Sequence, residues 1–391
     1  MDRRLFLRGL GALGCSAAAH PLMTTVTLAG SDGALGDSRL VVVILRGAMD
    51  GLDAVQPLAD PLFAQHRPVL GLGAGAVDLD GYFALHPALA DLMPLWHKGE
   101  LGFAHAVSTP YRDKRSHFDG QDMLEAGTGL DVPQAAVRDG WLNRMLQAVP
   151  GVQAETAYAV GRDALPLLNG AAPARNWSPD LRLEVSAQNR LLLDLIYHDD
   201  PLFRDAGSEA IELASLGVTP KGSEKVFADV DRLVDFTAGR MREATRIAAF
   251  SLSGWDTHRA QGNAIARPLG QLGRMILRLR DQLGPLWAGT TVMAMTEFGR
   301  TMRENGSGGT DHGTGGVMLM AGGALRGGRV MGRWPGLAEA DLYDRRDLMP
   351  TSDVRAWAAW AMRGLYGFDR GLLERTVFPG LDMGDDPKLI L

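Results

Sequence analysis

The segment Leu40–Leu45, LVVVIL, constrains this chain more than any other: six apolar residues in a row, mostly β-branched, that stop at Arg46 and Gly47. A strand with one wet face alternates apolar and polar residues, so an unbroken run predicts a strand buried on both faces of a sheet. The same form recurs at Leu101–Val107, Arg246–Leu252, Thr290–Met295 and Val317–Ala321. Helical periodicity fills the intervals, over Pro87–Lys98, Ser116–Ala126, Gly222–Thr245 and Ala264–Leu283. Strand and helix alternate, which predicts an α/β fold: a doubly wound, mostly parallel central sheet with helices on both faces. The 49 glycines gather in turns after the apolar runs rather than in a low-complexity tract, as strand-to-helix turns require.

In open parallel sheets, ligands sit beyond the carboxyl ends of the strands. Asp50 follows the first run, Ser116 and His117 the second, Asp256 and His258 of GWDTH the third, and Glu297 of MTEFGRT the fourth. Asp311 and His312 of TDHGTGG come before the fifth run instead. Asp256, His258, Glu297, Asp311 and His312 are carboxylate and imidazole donors, the types that divalent zinc or manganese accepts, and adjacent glycines let backbone bend toward an ion. Alternate residues of an extended segment point the same way, so Asp256 and His258 can face one ion together. A core histidine bonded to a carboxylate has the same sequence signature. The pattern predicts a metal-dependent hydrolytic site with one or two divalent ions, zinc, manganese or calcium.

At the amino end, Asp2, Arg3, Arg4, Leu5, Phe6 and Leu7 precede an apolar run from Leu10 to Ala19. Positive charge before a short apolar segment is the physical form of a leader, and this one resembles a twin-arginine export signal. The expectation is a signal peptide over residues 1–30 and one α/β domain over 31–391, exported folded by the twin-arginine translocase to the periplasm or the cell exterior. Cys15 is the single cysteine and falls in the leader, so the mature chain has no disulfide, thiolate metal site or cysteine nucleophile. The leader carries three arginines against one aspartate, which makes the mature chain more acidic than the full-length charge of −6 and argues against a nucleic-acid partner. No later apolar run approaches the length of a membrane span. From about 150 to 223 the prolines scatter and periodicity weakens, as in a variable insertion or cap; His198, Asp199 and Asp200 read there as a solvated loop. No GxSxG elbow, Walker loop or HExxH motif occurs.

The segments LRGAMDGLDAV, STPYRDKRSHFDGQDMLEAG, GWDTH, TEFGRT and TDHGTGG together resemble an uncharacterised, twin-arginine-exported family that belongs with the alkaline phosphatase and sulfatase superfamily. The resemblance covers nearly the whole chain and implies an alkaline-phosphatase-like fold. It also implies Asp50 as the first metal aspartate, Asp256, His258 and His312 around one ion, and Glu297 in place of an aspartate on a second. Two departures stand out. Only Thr257 separates Asp256 from His258, and Phe298 follows Glu297 where a histidine is usual. TDHG also reads like the aspartate–histidine pair of the phosphomutases, which leaves the number of ions open between one and two.

Ser116 stands where the superfamily places a nucleophile at a helix start. Arg112, Lys114 and Arg115 nearby suit an incoming anion. Ser116 followed by Asp119 equally fits a helix N-cap with no chemistry, and His117 is an equal candidate for ligand or proton donor. For Asp50 the competing role is a turn, since Asp-Gly is a turn dipeptide. Asp311 either ligates or orients an imidazole, and Arg300 either pairs with Glu297 or grips an anion. Catalytic candidates are therefore Ser116 and His117, and substrate-binding candidates are Arg46, Arg115 and Arg300. The function expected is an exported hydrolase acting on an anionic small-molecule or glycan ester of phosphate or sulfate. The alternatives are a non-catalytic metal- or anion-binding envelope protein and a structural partner in an envelope assembly.

Overall fold

The computed structural model describes residues 35–112, 114–130, 139–179 and 225–391. The expected leader over 1–30, the 198–200 triplet and most of the expected insertion lie outside the described residues. Twelve strands are described: β1 (Arg39–Arg46), β2 (Val55–Gln56), β3 (Val77–Asp78), β4 (Ala84–Leu85), β5 (Leu101–Ser108), β6 (Ala157–Val160), β7 (Arg175–Trp177), β8 (Ile247–Ser253), β9 (Thr290–Met295), β10 (Gly316–Ala321), β11 (Val330–Met331) and β12 (Ser352–Asp353). Nine form the central sheet, in the order β11-β5-β10-β9-β1-β8-β6-β7 with β12 also on β5, while β2, β4 and β3 make a small separate sheet.

The five apolar runs are the five long strands of this sheet, displaced by a residue at most. The middle of the sheet is parallel: β1 pairs with β8 and β9 in that sense, Arg46 opposite Ser253 and Ile44 opposite Met295. One strand departs. β10 runs antiparallel to both β9 and β5. Its amino end, Gly316, therefore lies beside Val107 at the carboxyl end of β5. The reversal carries Asp311 and His312, which precede their strand, to the same rim as residues that follow theirs.

Burial on both faces is visible within β1. Val41, Val43 and Leu45 join a cluster with helices α3 (Lys225–Met241) and α4 (Ala266–Leu283), while Leu40, Val42 and Ile44 face α2 (Trp141–Gln147) and α5 (Val354–Tyr366). On α4 the buried residues Leu269, Leu272, Ile276, Leu279 and Leu283 recur at steps of three and four, the stripe an amphipathic helix lays on a sheet. Each such side chain contributes roughly 1.5–3 kcal/mol on leaving water. The segment expected as one helix over Pro87–Lys98 is a 3-10 stretch, Pro87–Leu92, followed by a short helix, Met93–His97. Pro94 lacks the N–H that a continuous helix would bond there. The described part of the 150–223 stretch does not stand apart as a cap, because β6 and β7 extend the central sheet beside β8.

Gly47 and Ala48 turn the chain sharply after β1, both at positive φ, 120° and 58°. A Cβ on Gly47 would meet the Asp256 backbone nitrogen at 2.8 Å, so only glycine lets the β1 and β8 ends close together.

His105 of β5 is buried, stacked on Phe83 at 5.2 Å and edge-on to Trp334. Its Nδ1 accepts from the Ala106 N–H and its Nε2 lies 3.0 Å from the Val55 carbonyl, so the neutral ring is fully engaged. Burial lowers its pKa from 6.5 to about 4. The depressed value means stability that is complete above pH 6.5 and lost as pH falls toward 4, on the order of 3 kcal/mol in all. His105→Gln keeps a donor and an acceptor without titrating. Urea denaturation between pH 6.5 and 4 should show a shallower acid loss for the variant than for the wild type; equal slopes would contradict this role.

Candidate metal centre at the sheet rim

Helix α1 (His117–Ala126) starts at the rim beyond β5. Ser116 is its N-cap, with Oγ accepting from the Asp119 N–H at 3.4 Å, and the Ser116 N–H donates to the Tyr111 hydroxyl at 2.8 Å. His117, the first helical residue, places Nδ1 2.7 Å from Glu297 Oε1. Phe298 stacks on the His117 ring at 5.2 Å and packs against His312 at 5.3 Å. The Phe298 ring is thus a wall for two imidazoles.

Asp256 lies at the centre of the group. Its Oδ1 accepts from Arg300 Nη2 at 2.6 Å and lies 3.0 Å from His258 Nε2 and 3.2 Å from His312 Nε2, while Oδ2 is 3.6 Å from His117 Nε2. Partial burial would raise the Asp256 pKa, but the charge and hydrogen bond of Arg300 outweigh it and the net shift is downward. His258 Nδ1 is 3.2 Å from Asp311 Oδ1. Asn305 braces that pair, donating to Asp311 Oδ1 and to the His258 carbonyl, and its hydrogen bond is the main cause holding the Asp311 carboxyl below its usual range. His312 Nδ1 is 2.9 Å from the Arg115 carbonyl. Behind it a Cβ on Gly313 would lie 2.3 Å from the Arg300 carbonyl carbon, so the bridge between Arg300 and His312 forms only with glycine there.

The Arg115 carbonyl only accepts, so His312 Nδ1 donates to it, and the carboxylates of Asp311 and Glu297 accept from Nδ1 of His258 and His117. The His258 and His312 Nε2 atoms lie 3.0 Å apart and both face Asp256 Oδ1, while His117 Nε2 is buried with no hydrogen-bond partner. Donor atoms of His117, Asp256 and His312 all lie within 4.8 Å of one another. Nitrogen ligands ~2.0–2.1 Å from a tetrahedral zinc stand ~3.3 Å apart; His258, His312 and Asp256 lie near that spacing, at 3.0 to 3.2 Å, and His117 stands farther off, at 3.6 Å from Asp256. The residues fit a divalent cation.

The other candidates from the sequence take different places. Glu297 is wholly buried behind His117, its Oε1 also accepting from the Gly47 N–H and Gln121 Nε2 and its Oε2 from the Thr296 hydroxyl. Burial would raise its pKa, but its hydrogen bonds, that with His117 foremost, outweigh this and lower it. Asp50 is not brought into the group: it is 1 % exposed, and its oxygens accept from Arg67 Nη1 and Nη2 at 2.8 and 3.1 Å, from Gln261, from Thr310 and from the Leu52 N–H. Arg67, itself fully buried, is the cation that Asp50 pairs with.

Arg300 does not reach the mouth; its guanidinium is buried and donates to the carbonyls of Gly47, Ala48, Trp255 and Thr310 besides Asp256. It fixes Asp256 rather than a substrate. Arg46 likewise points into the protein, toward Gln121 and Glu125. Burial pushes Glu125 up to about 7 against the charge of Arg46. Arg115 remains at the rim, 37 % exposed, and shares the buried Asp347 with Arg346, whose Nη1 also donates to the His312 carbonyl. Sequence reasoning passed over Asn305, Gln121, Arg67 and Arg346. Only Gln121 left a signal, standing four residues after His117 on the same helical face.

Fold and site together define an α/β protein that gathers imidazoles and carboxylates at one rim of a largely parallel sheet. Residues 96–359, more than half the chain, match the family described as "Protein of unknown function (DUF1501)", and the chain belongs to it. No curated protein matches. Among solved structures the chain is similar to the lipoteichoic acid synthase LtaP from Listeria monocytogenes, at 10 % identity over 89 % of this chain and 77 % of that one, with a TM-score of 0.42. It is also similar to a protein in the alkaline phosphatase superfamily from Vibrio parahaemolyticus, at 10 % identity, 90 % and 72 % coverage and a TM-score of 0.40. A third is the C-terminal periplasmic domain of EcEptC from Escherichia coli in complex with Zn, at 10 % identity, 92 % and 94 % coverage and a TM-score of 0.40.

Proposed function

We propose that this protein is an exported hydrolase that holds one divalent ion, zinc or manganese, on His117, Asp256, His258 and His312, and acts on a phosphate or sulfate ester. The observation that carries this reading is the convergence of the His258 and His312 Nε2 atoms, 3.0 Å apart, on Asp256 Oδ1, at 3.0 and 3.2 Å, with the second nitrogen of each ring engaged elsewhere. Two imidazoles and a carboxylate so gathered are a donor set for a divalent cation. An ion there supplies Lewis acidity toward an ester oxygen.

The chain's own residues do the rest. Arg300, Asn305, Asp311 and Glu297 orient the ligands. Arg115 and Arg346 put two guanidinium charges against the single carboxylate of Asp347, which leaves positive charge beside His312 for an anionic ester. Arg67 occupies Asp50, so the ion count is one. Ser116 caps α1 one residue before the ligand His117, a role compatible with either its own hydroxyl or a water as the nucleophile. No helix among the described residues is long and apolar enough to cross a membrane, in keeping with export as a folded domain.

Engagement of Ser116 Oγ by the Asp119 N–H also favours a second reading, a metal- or anion-binding protein without turnover. Elemental analysis of protein purified from the periplasm, with a panel of phosphate and sulfate esters, separates the two. We expect one equivalent of metal and ester cleavage that chelator abolishes and added metal restores. One equivalent without cleavage supports the binding reading. Metal-free protein whose melting ignores zinc and manganese overturns both.

A further inference from the structure

We propose that Arg46 is a positioning residue for His117, setting the tautomer of that imidazole through Gln121 and Glu297. The proposal rests on the reading of His117 as a ligand. His117, Gln121 and Glu125 stand at i, i+4 and i+8 of α1, a single polar stripe facing the ends of β1 and β9. Arg46, the last residue of β1, donates from Nη1 to Gln121 Oε1 at 2.8 Å, and its Nη2 lies 2.8 Å from Glu125 Oε1 and 2.9 Å from the Ala164 carbonyl.

A guanidinium only donates, so Arg46 fixes which end of the Gln121 amide is the carbonyl. The amide nitrogen is thereby turned to Glu297 Oε1, at 3.1 Å. With Gly47 N–H and Gln121 on Oε1 and the Thr296 hydroxyl on Oε2, the Glu297 carboxylate is pinned as an acceptor, 2.7 Å from His117 Nδ1. The ring must then carry its proton on Nδ1. Its Nε2 has no hydrogen-bond partner and lies 3.6 Å from Asp256 Oδ2.

Without Arg46 the amide is free to turn its oxygen on Glu297, which sets two acceptors against each other and releases the carboxylate and the ring. Outer partners of metal-binding histidines typically contribute 10–100-fold in affinity. Because Arg46→Met alone strands the buried Glu125, the variant to use is Arg46→Met with Glu125→Gln, alongside Glu125→Gln and Arg46→Lys/Glu125→Gln.

Zinc affinity by competition with a chelating dye should fall about 10-fold in the Arg46→Met/Glu125→Gln protein relative to Glu125→Gln alone, and the lysine version should recover most of it. Nitrogen-15 NMR of the metal-free proteins, at a pH high enough for the His117 ring to be neutral, gives the second readout: His117 protonated on Nδ1 in the wild type and partly on Nε2 in the methionine variant. A folded methionine variant with unchanged affinity and an unchanged His117 tautomer overturns the proposal. If the wild type binds no zinc, the metal reading fails, and the NMR comparison still decides the role of Arg46.

Discussion

Arg67→Met will cost this protein roughly 3–5 kcal/mol of stability, the usual result of stranding one member of a buried ion pair. Both partners are out of contact with water, Arg67 at 0 % and Asp50 at 1 % exposure, and the guanidinium meets the carboxylate at two points. It also donates to the carbonyls of Met302 and Thr301, so its loss orphans those as well. Asp53 aggravates the case: burial and the nearby Asp50 charge already raise its pKa, and it shares the Gln261 amide with Asp50. Burial would raise the Asp50 pKa too, but Arg67 outweighs it and keeps the carboxylate ionised. Adding Asp50→Asn to Arg67→Met should therefore recover part of the loss, since the uncompensated charge goes with it. Urea unfolding of both variants and of Asp50→Asn tests this. A single variant within 1 kcal/mol of wild type would show that the pair does not hold the β1 end. Asp50→Asn that folds but no longer takes up metal would return Asp50 to the ligand set.

His312→Ala and Asp256→Asn should each weaken zinc binding by well over the 100-fold seen when only an outer partner is lost, because each removes a direct ligand. Asp256 brings the charge as well. Its replacement also leaves the Arg300 guanidinium, wholly buried, without its anionic partner. We therefore expect Asp256→Asn to lose stability even without metal, whereas His312→Ala, whose ring is 19 % exposed, keeps most of it. Zinc at 100 times its Kd should stabilise the wild type by about 2.7 kcal/mol through binding to the folded state alone. In His312→Ala the same zinc concentration should leave the melting curve where it was. Equal zinc-induced stabilisation of wild type and His312→Ala would remove the ligand from the centre described here.

The strands were readable because burial on both faces demands an unbroken apolar run, and Leu40–Leu45 has no other reasonable use. The direction of β10 was not readable, since an apolar hexapeptide has the same pattern whichever way it runs; that one reversal is why Asp311 and His312 seemed to sit on the wrong side of their strand. The juxtaposition of Asp256 and His258 was legible from two-residue spacing after a strand. The partition into ligands and braces was not: a carboxylate on a cation and one behind an imidazole have the same sequence, as Glu297 and Asp311 illustrate. Arg67 left no trace, because its role depends on meeting Asp50, Thr301 and Met302 in space. Arg300 looked like an anion grip for the opposite reason, a strand-end arginine with no sign of the five partners that enclose it.

The antiparallel turn between β9 and β10 has a practical consequence. Glu297, Arg300, Asp311 and His312 all ride on one hairpin, whose exposed tip around Gly306 and Ser307 is tied back to the site: the Ser307 N–H donates to Asn305 Oδ1 and its carbonyl accepts from the Ala260 N–H. Chain inserted at that tip would pull on Asn305 and, through it, on Asp311 and the His258 carbonyl, so the tip is a lever on the groups that line the mouth while both arms stay zipped into the sheet.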